Sequence, residues 1–198
     1  MAKSGRILIA DDETIFSNAT ADLLRQEGYE CDVAPDAHTA AALLTRTPYD
    51  LLIADIKMPG NDGLEFIRDL PRVTQGIPVI LVTGYPSLRT AIQSIQLPVV
   101  AYLTKPVEFD ELKTQVRNCI QGYQAYQTIR NTRQRLETSC NNLTDLEKLL
   151  KDAPKINDKP ATSINNFFDL SLINIIGALS DLRHLTANLG ISKTGVFS

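Results

Sequence analysis

Short apolar runs alternate with longer amphipathic stretches over the first 120 residues or so of this 198-residue chain. Arg6–Ala10, Leu51–Ala54, Val79–Val82 and Val99–Thr104 are continuous apolar runs, the pattern of strands buried on both faces of a parallel sheet. Tyr29–Ala34 alternates poorly but carries Cys31 and Val33, and makes a fifth strand. Between them the spacing turns helical. Thr14–Glu27 has apolar residues at Ile15, Phe16, Ala19, Leu23 and Leu24, with Gly28 placed to end it. The alanine-rich stretch Pro35–Arg46 stops before Thr47-Pro48. Leu64, Phe66, Ile67 and Leu70 make a third apolar face, opened by the turn signal Asn61-Asp62-Gly63 and ended by Pro71. Ser87–Gln96 is a polar fourth helix, with Ile92 and Ile95 its strongly apolar positions. A fifth begins at Glu108, with Phe109, Leu112, Val116, Cys119 and Ile120 on one face. Strands and helices in strict alternation predict an α/β domain with a parallel sheet.

The pattern then changes. Tyr123–Lys151 lacks proline and glycine, so the fifth helix is expected to run on by several turns. Ile129, Leu136, Leu143 and Leu150 recur every seven residues, but the complementary positions are poor (Tyr126, Arg133, Cys140 and Glu147, or Thr132, Ser139 and Leu146). A weak coiled coil or one edge of a bundle fits best. Asp152–Ser163 is a polar, proline-bearing linker. Beyond it Phe168, Leu172, Ile175, Leu179, Leu182 and Leu189 follow alternating four- and three-residue steps, broken only at Thr186. Phe167, Ile173, Ile176 and Leu185 widen that face beyond what one partner helix covers. The expected organisation is an α/β domain at 1–122, an extended helix at 123–152, a linker at 153–163, an amphipathic helix at 164–190 and a tail at 191–198. Two such helical hairpins would form a four-helix bundle, so a homodimer through the C-terminal helices is expected.

Charge narrows the partners. The net charge is −3. Residues 1–122 hold 11 Lys/Arg against 16 Asp/Glu, and residues 123–198 hold 9 against 7. Neither part has the basic footprint of a nucleic-acid binder, and no apolar run reaches membrane-spanning length. Cys31, Cys119 and Cys140 have neither metal-like spacing nor an even count. With Met1–Gly5 leading straight into a strand, a cytoplasmic protein without export or membrane segment is the expectation.

Chemistry collects at the carboxyl ends of the strands, where open α/β sheets place their sites. The first strand runs into Asp11-Asp12-Glu13, the third into Asp55-Ile56-Lys57-Met58-Pro59-Gly60, the fourth into Thr83-Gly84 and the fifth into Lys105-Pro106. Parallel neighbours would bring carboxylates, a hydroxyl and an ammonium to one rim. Clustered carboxylates suit Mg²⁺, which takes few carboxylates plus waters and phosphate oxygens. A carboxylate attacking a phosphoryl group needs its repulsion offset by a cation.

Asp11-Asp12, Asp55 with Met58-Pro59 and Asp62-Gly63, Thr83-Gly84 and Lys105-Pro106, in that order, resemble the phosphorylation site of bacterial two-component response-regulator receiver domains. The resemblance covers about the first 120 residues. It implies a flavodoxin-like doubly wound fold with strand order 2-1-3-4-5, to which the helices read beyond residue 122 add an α-helical C-terminal extension. It implies Asp55 as phosphoacceptor, Asp12 as the favoured Mg²⁺ carboxylate with Asp11 its companion, and the Lys57 carbonyl completing the metal shell. Thr83 would hydrogen-bond the phosphoryl oxygen, Lys105 would pair with it across a cis Lys105–Pro106 bond, and Thr83 with Tyr102 would form the switch. The partner implied is a histidine kinase or phosphotransfer protein, with a downstream protein the sequence does not name.

Departures from the family are few. Gln96-Leu97-Pro98-Val99-Val100 replaces the usual turn before the fifth strand. Lys57 and Tyr85 lie where the family tunes water access to the acyl phosphate, and a bulky Tyr85 is expected to shield it. His184 matches no phosphotransfer motif and reads as a bundle-edge residue; His38 reads as a surface residue. Arg130, Arg133 and Arg135 form a basic cluster without a helix-turn-helix. No Walker loop or nucleophile elbow is present, so the chain is not expected to act on a separate substrate. The expected function is a response regulator that signals through its helical region. The rivals are a phosphorelay intermediate, a DNA-binding regulator with an atypical helical output, and a helical adaptor with a vestigial receiver.

Overall fold

The structure, a computed structural model, describes residues 5–62, 64–74, 76–152, 173, 175–177 and 180–181. The chain divides into two units, Met1–Gln124 and Ala125–Ser198. Along the first unit run β1 (Arg6–Ala10), α1 (Thr14–Gln26), β2 (Glu30–Ala34), α2 (Ala37–Arg46) and β3 (Leu51–Ala54). Two short strands follow, β4 (Lys57–Met58) and β5 (Asn61–Asp62), then α3 (Glu65–Val73), β6 (Val79–Thr83), α4 (Leu88–Ser94) and β7 (Val99–Thr104). Helix α5 (Phe109–Asp152) starts in the first unit and ends in the second.

The main sheet has the order β2-β1-β3-β6-β7 with every pair parallel. With the small antiparallel pair β4-β5 set apart, this is the expected order 2-1-3-4-5. The strand order reverses between β1 and β3, which opens a crevice beyond their carboxyl ends.

The two-residue period of the strands divides the core between two layers. Leu8, Leu52, Val79 and Leu81 pack with α2 and α3 through Ala40, Leu44, Ile67 and Leu70. Ile7, Ile9, Leu51, Ile53, Ile80 and Val82 pack with α1 and α5 through Ala21, Leu24, Leu112, Val116 and Ile120. Continuous apolar strands are what such two-sided burial requires.

Three helices depart from the sequence reading. The buried stripe of α1 is Ser17, Thr20, Ala21 and Leu24, while Ile15 is 85% exposed and Leu23 38%. Small side chains face the sheet and let the helix approach closely. Helix α3 passes through Pro71 to Val73, because proline removes one N–H and the next turn still closes, Thr74 N–H donating to the Leu70 carbonyl at 2.8 Å. Helix α4 is shorter than predicted, with Ser87 as its N-cap accepting from the Thr90 N–H. Asp36 likewise caps α2 through the Thr39 N–H. Gly28, at φ 91°, takes the left-handed turn after α1 that a side chain disfavours.

At the opposite end of the sheet the Tyr49 hydroxyl donates to Asp32 at 2.8 Å. Burial, then that hydrogen bond and the charge of Asp32, push the hydroxyl from 10.0 to about 12. An unfolded tyrosine loses its proton first as pH rises past 10, so this contribution is intact below that value and disappears by about 12. Tyr49→Phe is expected to make the alkaline fall in stability across that window shallower by one proton's worth. Urea unfolding at several pH values measures it.

In the second unit Arg135 pairs with Asp181, and Thr132 and Ser139 are buried. Tyr126, Ile129, Ile173 and Ile176 are each at least half exposed. Residues 173, 175–177, 180 and 181 are helical. The rest of the stretch predicted as a helix at 164–190, His184 included, lies outside the described residues, as do the side chains of Leu143 and Leu150. Among the described residues no helix is long and apolar enough to cross a membrane.

Candidate functional site

Each site residue is fixed by the strand that delivers it. The Asp11 N–H donates to the Ala34 carbonyl at 3.0 Å, Asp55 N–H to Ala10 at 2.9 Å and Lys105 N–H to Thr83 at 2.9 Å. The sheet ladder thus extends one residue past β1, β3 and β7 into the site. Strands β1 and β3 are adjacent, about 5 Å apart, so Asp11 and Asp55 emerge side by side, and the long Lys105 side chain reaches them from the end of β7 at the sheet edge.

Asp11 and Asp55 are 2% and 6% exposed, while Asp12 is exposed. One carboxylate oxygen from each of the three can be chosen so that all lie within 4.8 Å of one another. The Lys105 ammonium lies 2.7 Å from Asp11 Oδ2, 3.1 Å from Glu13 Oε2 and 3.3 Å from Asp55 Oδ2. It also sits over the Phe16 ring, 4.4 Å from the centroid. Burial raises the Asp11 pKa, and the Lys105 hydrogen bond only partly offsets it. Burial opposes the Lys105 charge, but Asp11, Glu13 and Asp55 outweigh it and hold the ammonium above its ordinary value. One cation thus serves three carboxylates, two of them buried.

Asp55 is held at both oxygens, Oδ1 accepting the Lys57 N–H at 3.1 Å and Oδ2 facing Lys105. Asn61, 1% exposed, clamps the loop behind it. Its Nδ2 donates to the Ile56 carbonyl at 3.0 Å, and its Oδ1 accepts the Phe66 N–H at 3.3 Å. Asn61→Ala strands those groups away from water and is expected to cost about 1–3 kcal/mol, measured by chemical unfolding.

The structure brings Asp11, Asp12, Asp55 and Lys105 together. Thr83 lies fully buried at the end of β6, its hydroxyl accepting the Tyr85 N–H at 3.2 Å. Lys57 extends its ammonium over the Tyr85 ring, 4.5 Å from the centroid. Tyr102 is half-buried, with its hydroxyl 3.0 Å from Thr90 Oγ1 on α4. The Lys105–Pro106 bond is cis, as the resemblance implies. Glu13, Phe16 and Asn61 also belong to the site, and sequence reasoning misses all three. Glu13 stands in a run of three acids with no partner visible in the sequence, Phe16 reads as core, and Asn61 reads as a turn residue.

The donor set is carboxylate oxygen, which fits a hard divalent cation such as Mg²⁺ rather than a soft one. A parallel doubly wound sheet with an acidic, lysine-closed pocket at its switch point is the architecture of a flavodoxin-like domain, which places its site there. The model of the response regulator receiver domain matches residues 7–117, and the chain belongs to that family, carrying the receiver domain of a two-component response regulator.

Among curated proteins, the Regulatory protein AtoC of Escherichia coli (strain K12) is 30% identical over 79% of this chain and 35% of its own length. A CheY-like receiver domain protein from Methanospirillum hungatei JF-1 superposes with a TM-score of 0.58 at 32% identity, covering 60% of this chain and 95% of that one. The Thermotoga maritima response regulator TrrA, in complex with Mg(2+)-BeF, gives 0.52 at 35% identity over 58% and 97%. The chain spans about a quarter to a third of the length of the curated relatives it matches, several of them named transcriptional regulatory proteins.

Proposed function

We propose that this receiver accepts a phosphoryl group on Asp55 from a partner histidine kinase or phosphotransfer protein, with Mg²⁺ held by Asp11, Asp12, Asp55 and the Lys57 carbonyl. The observation that carries the reading is the buried Asp55 carboxylate gathered with Asp11 and Asp12 and facing Lys105 at 3.3 Å. An Asp55 oxygen attacks phosphorus, the P–N bond to the donor imidazole breaks, and the imidazole leaves with the electron pair and takes up a proton. A bound Mg²⁺ would neutralise phosphoryl charge as it develops. Lys105 supplies a second positive charge and Thr83 a hydrogen bond to the same group. The chain provides the site for its own phosphorylation and hydrolysis and acts on no separate substrate.

Tyr85 is 69% exposed with the Lys57 ammonium over its ring, and in this reading it shields the acyl phosphate from water. Tyr85→Ala is expected to shorten the phosphorylated lifetime severalfold, followed as loss of phosphoprotein after donor removal; an unchanged lifetime sinks the shield. The output is a change in the α4–β7 face, where Leu88, Ile92, Ile95 and Val100 are each more than half exposed, passed to a cytoplasmic partner and to a C-terminal helical dimer. The test is sedimentation of wild type and Asp55→Ala with Mg²⁺, with and without a small phosphodonor. A shift in the wild type alone places assembly under Asp55. The same dimer throughout makes the helices a constant scaffold, and a monomer throughout removes the dimer from the account.

The relatives' names favour a second reading, in which the phosphorylated receiver controls a DNA-bound output. Binding of DNA that falls steeply with salt is its signature; its absence leaves the protein-partner reading.

A further inference from the structure

Lys105 has more partners than one bound state can use. Both oxygens of Asp11 are occupied: Oδ1 accepts the Glu13 N–H at 2.9 Å, and Oδ2 holds the Lys105 ammonium at 2.7 Å. A divalent cation entering among Asp11, Asp12 and Asp55 must therefore take an oxygen now used by Lys105 or by an amide. Two cations on one carboxylate repel, so the incoming ion favours movement of the ammonium off Asp11. Glu13 is where it can go. Its carboxylate is already 3.1 Å from Lys105 Nζ, yet it stands outside the three-carboxylate cluster. Movement toward it keeps an ion pair, and the Phe16 ring already lies against the ammonium. The Glu13 backbone is locked, its N–H on Asp11 and its carbonyl accepting the Ser17 N–H at 3.0 Å. Only its side chain, 61% exposed, is free to follow the lysine.

We propose that Glu13 is a positioning residue for Lys105, a second seat that holds the ammonium beside the site when Asp11 turns to the metal ion. The role rests on the phosphoacceptor reading above. In the metal-free protein Asp11 and Glu13 share the lysine. When Asp11 becomes a ligand, Glu13 retains the ammonium beside the pocket, available to the phosphoryl charge that arrives on Asp55. Glu13 thereby lowers the cost of displacing Lys105 and so favours Mg²⁺ binding. Its effect is expected to run through the lysine, the group its carboxylate touches at 3.1 Å.

The experiment is calorimetric titration of Mg²⁺ into the full chain at fixed ionic strength, for wild type, Glu13→Gln, Lys105→Ala and the double variant. Lys105→Met, which keeps most of the apolar stem, serves alongside Lys105→Ala. Glu13→Gln is expected to weaken Mg²⁺ binding by roughly three- to fivefold, the scale of a half-exposed ion pair. Lys105→Ala is expected to tighten it by removing the competitor. On either Lys105 background, Glu13→Gln is expected to change the affinity by less than about twofold. Wild-type affinity in Glu13→Gln overturns the inference, and so does an equal loss on both backgrounds, which would make Glu13 a plain charge acting on the ion. Those outcomes leave the phosphoacceptor reading standing. Absence of Mg²⁺ binding by the wild type overturns both.

Discussion

Lys105→Ala is expected to destabilise the metal-free protein by about 3 kcal/mol near neutral pH, the usual cost of removing one partner from a buried ion pair. The Lys105, Asp11 and Asp55 side chains are 13%, 3% and 8% exposed. Without the ammonium, two buried carboxylates face each other with no cation between them. The sign with pH follows from Asp11, whose pKa is already raised in the folded state by burial. A carboxyl with a raised folded pKa favours the folded state while protonated, and that benefit is lost as pH rises through it. The deficit in Lys105→Ala should therefore shrink as the pH is lowered and Asp11 takes up a proton, sooner than an ordinary carboxyl would. Mg²⁺ should also restore more stability to the variant than to the wild type, since it replaces the missing charge. Urea unfolding with chelator, with Mg²⁺ and at two pH values checks all three. A variant as stable as the wild type in chelator would mean that water already reaches the pocket.

Asp55→Ala is expected to reduce phosphoryl incorporation to the level of a donor-free control while the domain stays folded. The loss is complete because the nucleophile itself is removed, whereas Lys105 and Thr83 only stabilise the transferred group. The fold survives because the Asp55 backbone N–H still donates to Ala10 and the strand β3 is unchanged. The variant should also bind Mg²⁺ more weakly, having lost one of three carboxylates. Incorporation is measured with a small phosphodonor, and folding by circular dichroism in the same samples.

Most of the sheet and of its reactive rim is legible in the amino-acid sequence, for identifiable reasons. Strands β1, β3, β6 and β7 are uninterrupted apolar runs that end in Asp11, Asp55, Thr83 and Lys105, so residue type alone marks both the strands and the chemistry at their ends. The features that escape a sequence reading depend on neighbours. Helix α1 keeps the predicted period but turns a different stripe inward: Ser17 and Thr20 are buried and Ile15 is exposed, because closeness to the sheet outweighs side-chain hydrophobicity there. Strands β4 and β5 are two residues each, too short to carry a period. Asn61 resembles a turn residue because its role lies in hydrogen bonds to Ile56 and Phe66. Glu13 is one acid in a run until the fold brings it Lys105, 92 residues away, across the carboxyl ends of the strands.

The central claim is that Asp55 carries the phosphoryl group, and intact mass followed by peptide mapping tests it most directly. Wild type and Asp55→Ala are treated with a small phosphodonor and Mg²⁺, with and without excess chelator. One added phosphoryl group is expected on the wild type, mapped to the peptide that contains Asp55, lost with chelator and absent from the variant. A phosphoryl group on another residue, or one that persists in Asp55→Ala, would contradict it.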